Sequence, residues 1–205
     1  MGSMRLCRGD IFAGKPEAIA QGCNLLGYMG AGIALEFRNR YPMMYDEYKQ
    51  ACADKKLAGG DVFIFELPDM KIYNLMTQTG CKGADIQFLR VALDNMCREA
   101  MMAGVKRITI PMIGAGLGGI QPSVCLNCYL EAVEKYNIEL YVVVQVVSGI
   151  EPHPIMDEKH DPAEQFKRAR EVAKTQTMRA EIMGKDDVPM EAASVIVDLN
   201  NDNEK

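Results

Sequence analysis

The chain has 205 residues, 48% of them apolar, and a formal charge of -5, which is enough for one well-buried core and too little for a large second domain beside it. No apolar run reaches the length of a membrane span and nothing resembles a signal peptide, so a soluble, cytoplasmic protein with no membrane partner is expected. Residues 1–150 carry 15 Lys and Arg against 15 Asp and Glu, and residues 151–205 carry 8 against 13; this excludes a general phosphate-backbone binder and leaves any nucleic acid to be engaged locally at a site.

Met1-Gly2-Ser3 ahead of a second Met4 reads as a cloning remnant outside the fold. Arg5–Ile11 alternates as a first strand and ends at Asp10, whose carboxylate either serves a ligand at the strand end or caps the following turn; the residues alone favour capping. Ala18–Cys23 is a second strand, and after it the stretch Gln21–Phe37 stops at a polar Asn24, crosses a loop with Gly27, Gly30 and Gly32, and becomes a helix over Ile33–Asn39. A glycine-rich turn that opens a helix lets the backbone approach a ligand and presents free N–H groups to an anion, although plain connection chemistry uses the same residues. Tyr41-Pro42 interrupts before a second helix from about Met43 to Lys55.

Val62–Leu67 and Lys71–Met76, separated by Pro68-Asp69, read as adjacent antiparallel strands. A polar loop, Thr77–Gly83, precedes the clearest helix, capped by Asp85, with Ile86, Leu89, Leu93, Met96, Cys97 and Ala100 recurring at three- and four-residue steps. Met96, Met101 and Met102 read as core filling. Arg107–Met112 is a buried strand followed by a second glycine loop, Ile113–Gly119; Pro122 then opens a helix to about Tyr136, and the Val-rich Ile138–Val147 belongs inside the sheet.

This order predicts an α/β fold, a three-layer α/β/α sandwich around a mixed, mostly buried sheet. Both glycine loops follow a strand and precede a helix, so one ligand can lie between them at the carboxyl ends of the strands. A dinucleotide oxidoreductase is disfavoured, because the first loop lacks the GxGxxG spacing and no acidic residue follows at the expected distance. Seven cysteines, an odd number, fit a reducing compartment and buried apolar roles; Cys125 and Cys128 form a CxxC, but His153 and His160 lie well downstream, so neither a metal nor a cofactor is expected. From Glu151-Pro152-His153-Pro154 the prolines forbid regular structure, and residues 151–205 read as an acidic, partly helical extension, with helix-forming composition over Asp161–Met183 and an isolated apolar segment at Val195-Ile196-Val197. The oligomeric state is not legible in the sequence.

Four segments carry a family resemblance: RGDI at the first strand end, GCNLLGYMGAGIALEFRNRYP around the first loop, LMT at the end of the fourth strand and IPMIGAGLGG at the second loop. Together, over about Met4–Ser148, they resemble a macro domain, the ADP-ribose-binding module, and within it the branch of ADP-ribose-1''-phosphate phosphatases, the terminal ADP-ribose glycohydrolase of proteins and the antitoxin that removes ADP-ribose from DNA. The resemblance implies a macro domain over residues 4–150 whose partner is ADP-ribose or a derivative, free or on protein or nucleic acid. Asp10, with the Ile11 backbone, would take the adenine amino group, reversing the preference for capping. Asn24 would reach the distal ribose as a catalytic residue, with Tyr28 against that ribose or a leaving group. Gly30, Ala31, Gly32 and Ile33, and Ile113, Gly114, Ala115, Gly116, Leu117 and Gly118, would wrap the diphosphate with backbone N–H groups, and Ser148 would line the adenine end. The branch's catalytic lysine and aspartate match Gln78 and Gly118, neither of which supplies a nucleophile, acid or base; Lys82 is the candidate to swing into the site instead. The expectation is hydrolysis at the distal ribose, with a non-catalytic ADP-ribose reader as the alternative.

Overall fold

The computed structural model describes residues 2–81 and 83–155. Lys82, His160 and the expected tail segments Asp161–Met183 and Val195-Ile196-Val197 lie outside the described residues. Met1–Pro154 constitutes one compact unit.

In chain order the elements are β1 (Ser3–Gly9), β2 (Ala18–Asn24), α1 (Gly32–Arg40), α2 (Pro42–Ala53), β3 (Val62–Glu66), β4 (Lys71–Gln78), α3 (Ile86–Met102), β5 (Arg107–Pro111), α4 (Pro122–Lys135), β6 (Glu139–Val146) and β7 (His153–Pro154). Seven strands form one sheet in the order β3-β4-β2-β5-β6-β1-β7. The five inner strands run parallel, and β3 and β7 close the edges antiparallel. Parallel strands are covered on both faces, and β2 and β4 are accordingly buried along nearly their whole length. Phe37 of α1 and Met44 and Tyr48 of α2 pack with Cys7, Ile19, Cys23, Ile72 and Met76 of the sheet into one buried cluster. On α3 the buried residues Leu89, Ala92, Leu93, Met96, Cys97 and Ala100 form the stripe that the spacing predicts, and the Asp85 carboxylate accepts the N–H groups of Gln87 and Phe88 at its start.

Three expectations are corrected. Ser3 is not outside the fold: it opens β1, opposite Glu139, and its N–H reaches the Ile138 carbonyl at 3.0 Å. His153-Pro154, where prolines were read as forbidding regular structure, pairs with Arg8 and Cys7 as an edge strand; an edge tolerates proline because one side of its backbone needs no ladder partner. Met101 and Met102 are exposed, since they follow Ala100 by one and two positions and so rotate off the buried stripe, whereas Met96 is buried.

Because the inner strands are parallel, their carboxyl ends share one edge of the sheet. There lie Thr77 and Gln78 of β4, Asn24 of β2, the loop after β5, Ser148 just after β6 and Asp10-Ile11 just after β1.

Candidate functional site

Along that edge, the ends of β2, β4 and β5 and the start of α1 enclose a cleft of about 420 Å³. One wall is the first loop: Asn24, Tyr28 and Gly30, Ala31, Gly32 and Ile33 line it. The N-cap of α1 is Ala31, which has no side chain to bond the first-turn N–H groups. Those amides therefore remain available at the positive end of the helix dipole. Gly32 holds φ at +56°, a left-handed conformation that favours glycine, at the point where the loop turns into the helix.

The second loop forms the facing wall through Ile113, Gly114, Gly116, Leu117 and Gly118. Its start is braced from α4: the Tyr129 hydroxyl donates to the Pro111 carbonyl at 2.8 Å and accepts the Ile113 N–H at 2.7 Å. Within it, the N–H of Ile120 bonds the Gly114 carbonyl and that of Gly119 the Gly116 carbonyl, while Ala84 N–H ties the Gly118 carbonyl to the neighbouring loop. Ala115 does not line the cleft; its N–H turns back to Met112. Tyr28 and Leu117, one on each loop, are 57% and 74% exposed.

Asn24 is 7% exposed, and its amide is engaged by its own loop. Oδ1 accepts the N–H groups of Leu26 at 3.0 Å and Tyr28 at 3.2 Å, and Nδ2 donates to the Tyr28 carbonyl at 2.8 Å. The side chain thus builds the loop from within. The Asp10 carboxylate accepts the N–H of Phe12 at 2.9 Å and of Gly149 at 3.0 Å, which is the capping role that the residues alone favoured, and it joins Asp10 to the turn bearing Ser148. Burial pushes the Asp10 carboxyl upward, but those two N–H groups and the Arg40 charge together hold it below its usual value. Ile11 buries its side chain in the core, so only its backbone is available to a ligand. Asp10, Ile11 and Ser148 lie beyond the residues that line the cleft, farther along the same sheet edge.

The positions matched to the branch's lysine and aspartate both face the cleft. At Gly118 a side chain has no room: an added Cβ would stand 2.6 Å from the Gly114 carbonyl oxygen and 2.8 Å from Ala84 Cβ. No Asp, Glu, Lys, Arg or His stands among the described residues lining the cleft; the ionisable ones are Tyr28 and Cys81. Five of the seven cysteines are buried, Cys52 is half-buried and Cys81 is exposed. Burial pushes the thiol of Cys125, the first cysteine of the CxxC on α4, up to about 11.

Sequence reasoning did not single out Gly22, Thr77, Cys81 or Met112 as lining residues. Thr77 lay within the quoted LMT segment; it bulges from β4, since Cys23 pairs with Met76 and Asn24 with Gln78, and such a shift is a property of strand pairing that no single strand's sequence carries.

A family model described as Macro domain matches residues 20–129. The chain belongs to the macro domain family. Among its relatives, this macro domain is 26% identical over 167 residues to a DNA ADP-ribosyl glycohydrolase of Thermus aquaticus, covering 78% of the chain and 46% of that protein. It is 28% identical over 152 residues to an ADP-ribose 1''-phosphate phosphatase of Candida albicans, covering 66% of the chain and 97% of that protein. The chain thus spans less than half the length of the Thermus aquaticus relative it matches. The solved macrodomain of Thermus aquaticus DarG superposes with a TM-score of 0.64 at 26% identity, over 70% of the chain and 99% of that structure. The three-layer sandwich around a mixed sheet expected from the order of elements is the macro domain fold.

Proposed function

We propose that this macro domain binds ADP-ribose across the carboxyl edge of its sheet and hydrolyses a derivative at the distal ribose. The single observation that carries the reading is the pair of glycine loops facing one cleft beside the uncapped start of α1. Such a cleft neutralises a diphosphate with backbone N–H groups and dipoles and needs no net positive charge. Gly30, Ala31, Gly32 and Ile33 on one side and Ile113, Gly114, Gly116, Leu117 and Gly118 on the other take the diphosphate. Asp10, the Ile11 backbone and Ser148 take the adenine end; each carboxylate oxygen of Asp10 retains a lone pair for an amino group. Asn24 and Tyr28 border the distal ribose.

In the hydrolytic reading, water attacks either the anomeric carbon, whose bond to the macromolecule or phosphate breaks, or the 1''-phosphorus, whose bond to the sugar oxygen breaks to give ADP-ribose and inorganic phosphate, with acceleration from positioning and electrostatics. The names of the relatives, a DNA ADP-ribosyl glycohydrolase and an ADP-ribose 1''-phosphate phosphatase, support this class and leave ADP-ribosylated nucleic acid, ADP-ribosylated protein and the 1''-phosphate as the candidate substrates. One observation favours a second reading, a non-catalytic ADP-ribose reader: the described lining residues offer neither a carboxylate nor an amine. Free thiols at all seven cysteines fit a cytoplasmic setting.

Incubation with ADP-ribose-1''-phosphate, ADP-ribosylated protein and ADP-ribosylated DNA tests the reading. Release of phosphate or ADP-ribose from at least one is expected. Tight ADP-ribose binding with no release from any of the three leaves the reader and overturns the hydrolase.

A further inference from the structure

The pairing of β2 with β4 singles out one residue. Cys23 lies opposite Met76 and Asn24 opposite Gln78, so Thr77 has no counterpart and bulges from an otherwise regular parallel ladder. A bulge re-aims a side chain, and bulges recur beside binding sites. Thr77 is only 1% exposed, yet it lines the cleft. Its backbone carbonyl accepts the Asp85 N–H at 2.9 Å, while its hydroxyl makes no hydrogen bond to another described residue.

Its oxygen is not sealed in: among the described residues the enclosed side-chain polar atoms without a partner are Gln21 Oε1, Tyr73 Oη and Asn127 Oδ1, so the unbonded Thr77 hydroxyl opens onto the cleft that the residue lines. Only glycine fits beside it: a Cβ at Gly22 would stand 3.1 Å from Thr77 Oγ1 and 2.6 Å from the Ile113 side chain. The other polar side chain at the end of β2 does not compete for that space, since the Asn24 amide is bonded to the backbone of Leu26 and Tyr28.

We infer that the Thr77 hydroxyl, aimed by the bulge over Gly22, is the side-chain group that meets the distal pentose of the bound nucleotide. This rests on the ADP-ribose reading above. A hydroxyl both donates and accepts, which suits a sugar hydroxyl, whereas the diphosphate takes donors alone and finds them in the two loops. Thr77 lies with Asn24 and Gln78 at the end of the cleft away from Asp10 and Ser148.

Calorimetry on the full chain with ADP-ribose and with ADP, which lacks the distal pentose, tests the inference. Thr77→Val keeps the shape and removes the hydroxyl; it should weaken ADP-ribose about five- to tenfold, as loss of one hydrogen bond does, and leave ADP within about twofold. Thr77→Ser should retain ADP-ribose affinity, and Thr77→Ala carries the same expectation as valine in case the valine variant does not fold. An ADP-ribose affinity unchanged by loss of the hydroxyl overturns the inference. Equal losses for ADP and ADP-ribose also overturn it, because the contact would then be to the shared diphosphate. Failure of the unmodified protein to bind ADP-ribose overturns the reading beneath it, a result distinct from binding that ignores Thr77.

Discussion

The hydroxyl of Tyr48, fully buried on α2, donates to the backbone carbonyl of Asn24 at 2.5 Å. Asn24 in turn holds the N–H groups of Leu26 and Tyr28 and the carbonyl of Tyr28. The first wall of the cleft is thus fastened to the helical layer through one tyrosine and one asparagine. Tyr48→Phe removes the strong donor and leaves that carbonyl the weaker Cys52 thiol at 3.9 Å, which costs about 1–3 kcal/mol. The variant should melt at a lower temperature and bind ADP-ribose more weakly, both measurable on the same sample; an unchanged melting temperature would show that the bond does not fasten the loop.

Asn24→Ala removes three hydrogen bonds from one loop. It should lose stability by about 2–3 kcal/mol at typical net values near 1 kcal/mol each and lose affinity as well as turnover. A variant that kept full affinity and stability while losing only turnover would make Asn24 a purely catalytic group, contrary to its hydrogen bonding. Denaturant unfolding together with calorimetry separates the two outcomes.

Much of this was legible in the sequence, and the exceptions have physical reasons. The Asp85 cap and the three- and four-residue spacing define α3 because helix signals are local. The two glycine loops are legible because each carries its own spacing. The engagement of Asn24 and the bulge at Thr77 are not, since both depend on contacts between residues that no local pattern relates, such as Asn24 with Tyr48 and Met76–Gln78 with Cys23–Asn24. Pro154 misled for the same reason: whether a proline can sit in a strand depends on which strand lies at the edge.

Gly118 explains why a carboxylate is missing where the branch has one. Gly118→Asp would drive a Cβ to within 2.6 Å of the Gly114 carbonyl oxygen and so displace the second loop. Overpacking of this kind costs about 1–3 kcal/mol. The substitution should therefore lower stability and weaken ADP-ribose binding without adding hydrolysis; a stable variant with gained turnover would show that the loop accommodates an acid there.

Cys81 is a built-in reporter of the cleft, being exposed and lining it while five other cysteines are buried. N-ethylmaleimide should label Cys81 first, and saturating ADP-ribose should slow that labelling. Peptide mass spectrometry over time reads both; labelling indifferent to ADP-ribose would place the ligand elsewhere.

Asp10 gives a pH dependence with a defined sign. Its folded carboxyl lies below the ordinary value, so its contribution to stability is present above the unfolded pKa of about 3.9 and is lost as pH falls through the lower folded value. Asp10→Ala should be less stable than the unmodified protein at pH 6, and the gap should close as pH falls below about 4. Urea unfolding across that range measures it, and a gap that widens toward acid would reverse the assignment.

The central claim, that the two glycine loops hold a nucleotide diphosphate sugar, is tested most directly by titrating ADP-ribose into the protein in a calorimeter. Saturable binding of one ADP-ribose per chain is expected; absence of binding at millimolar ADP-ribose would contradict that claim.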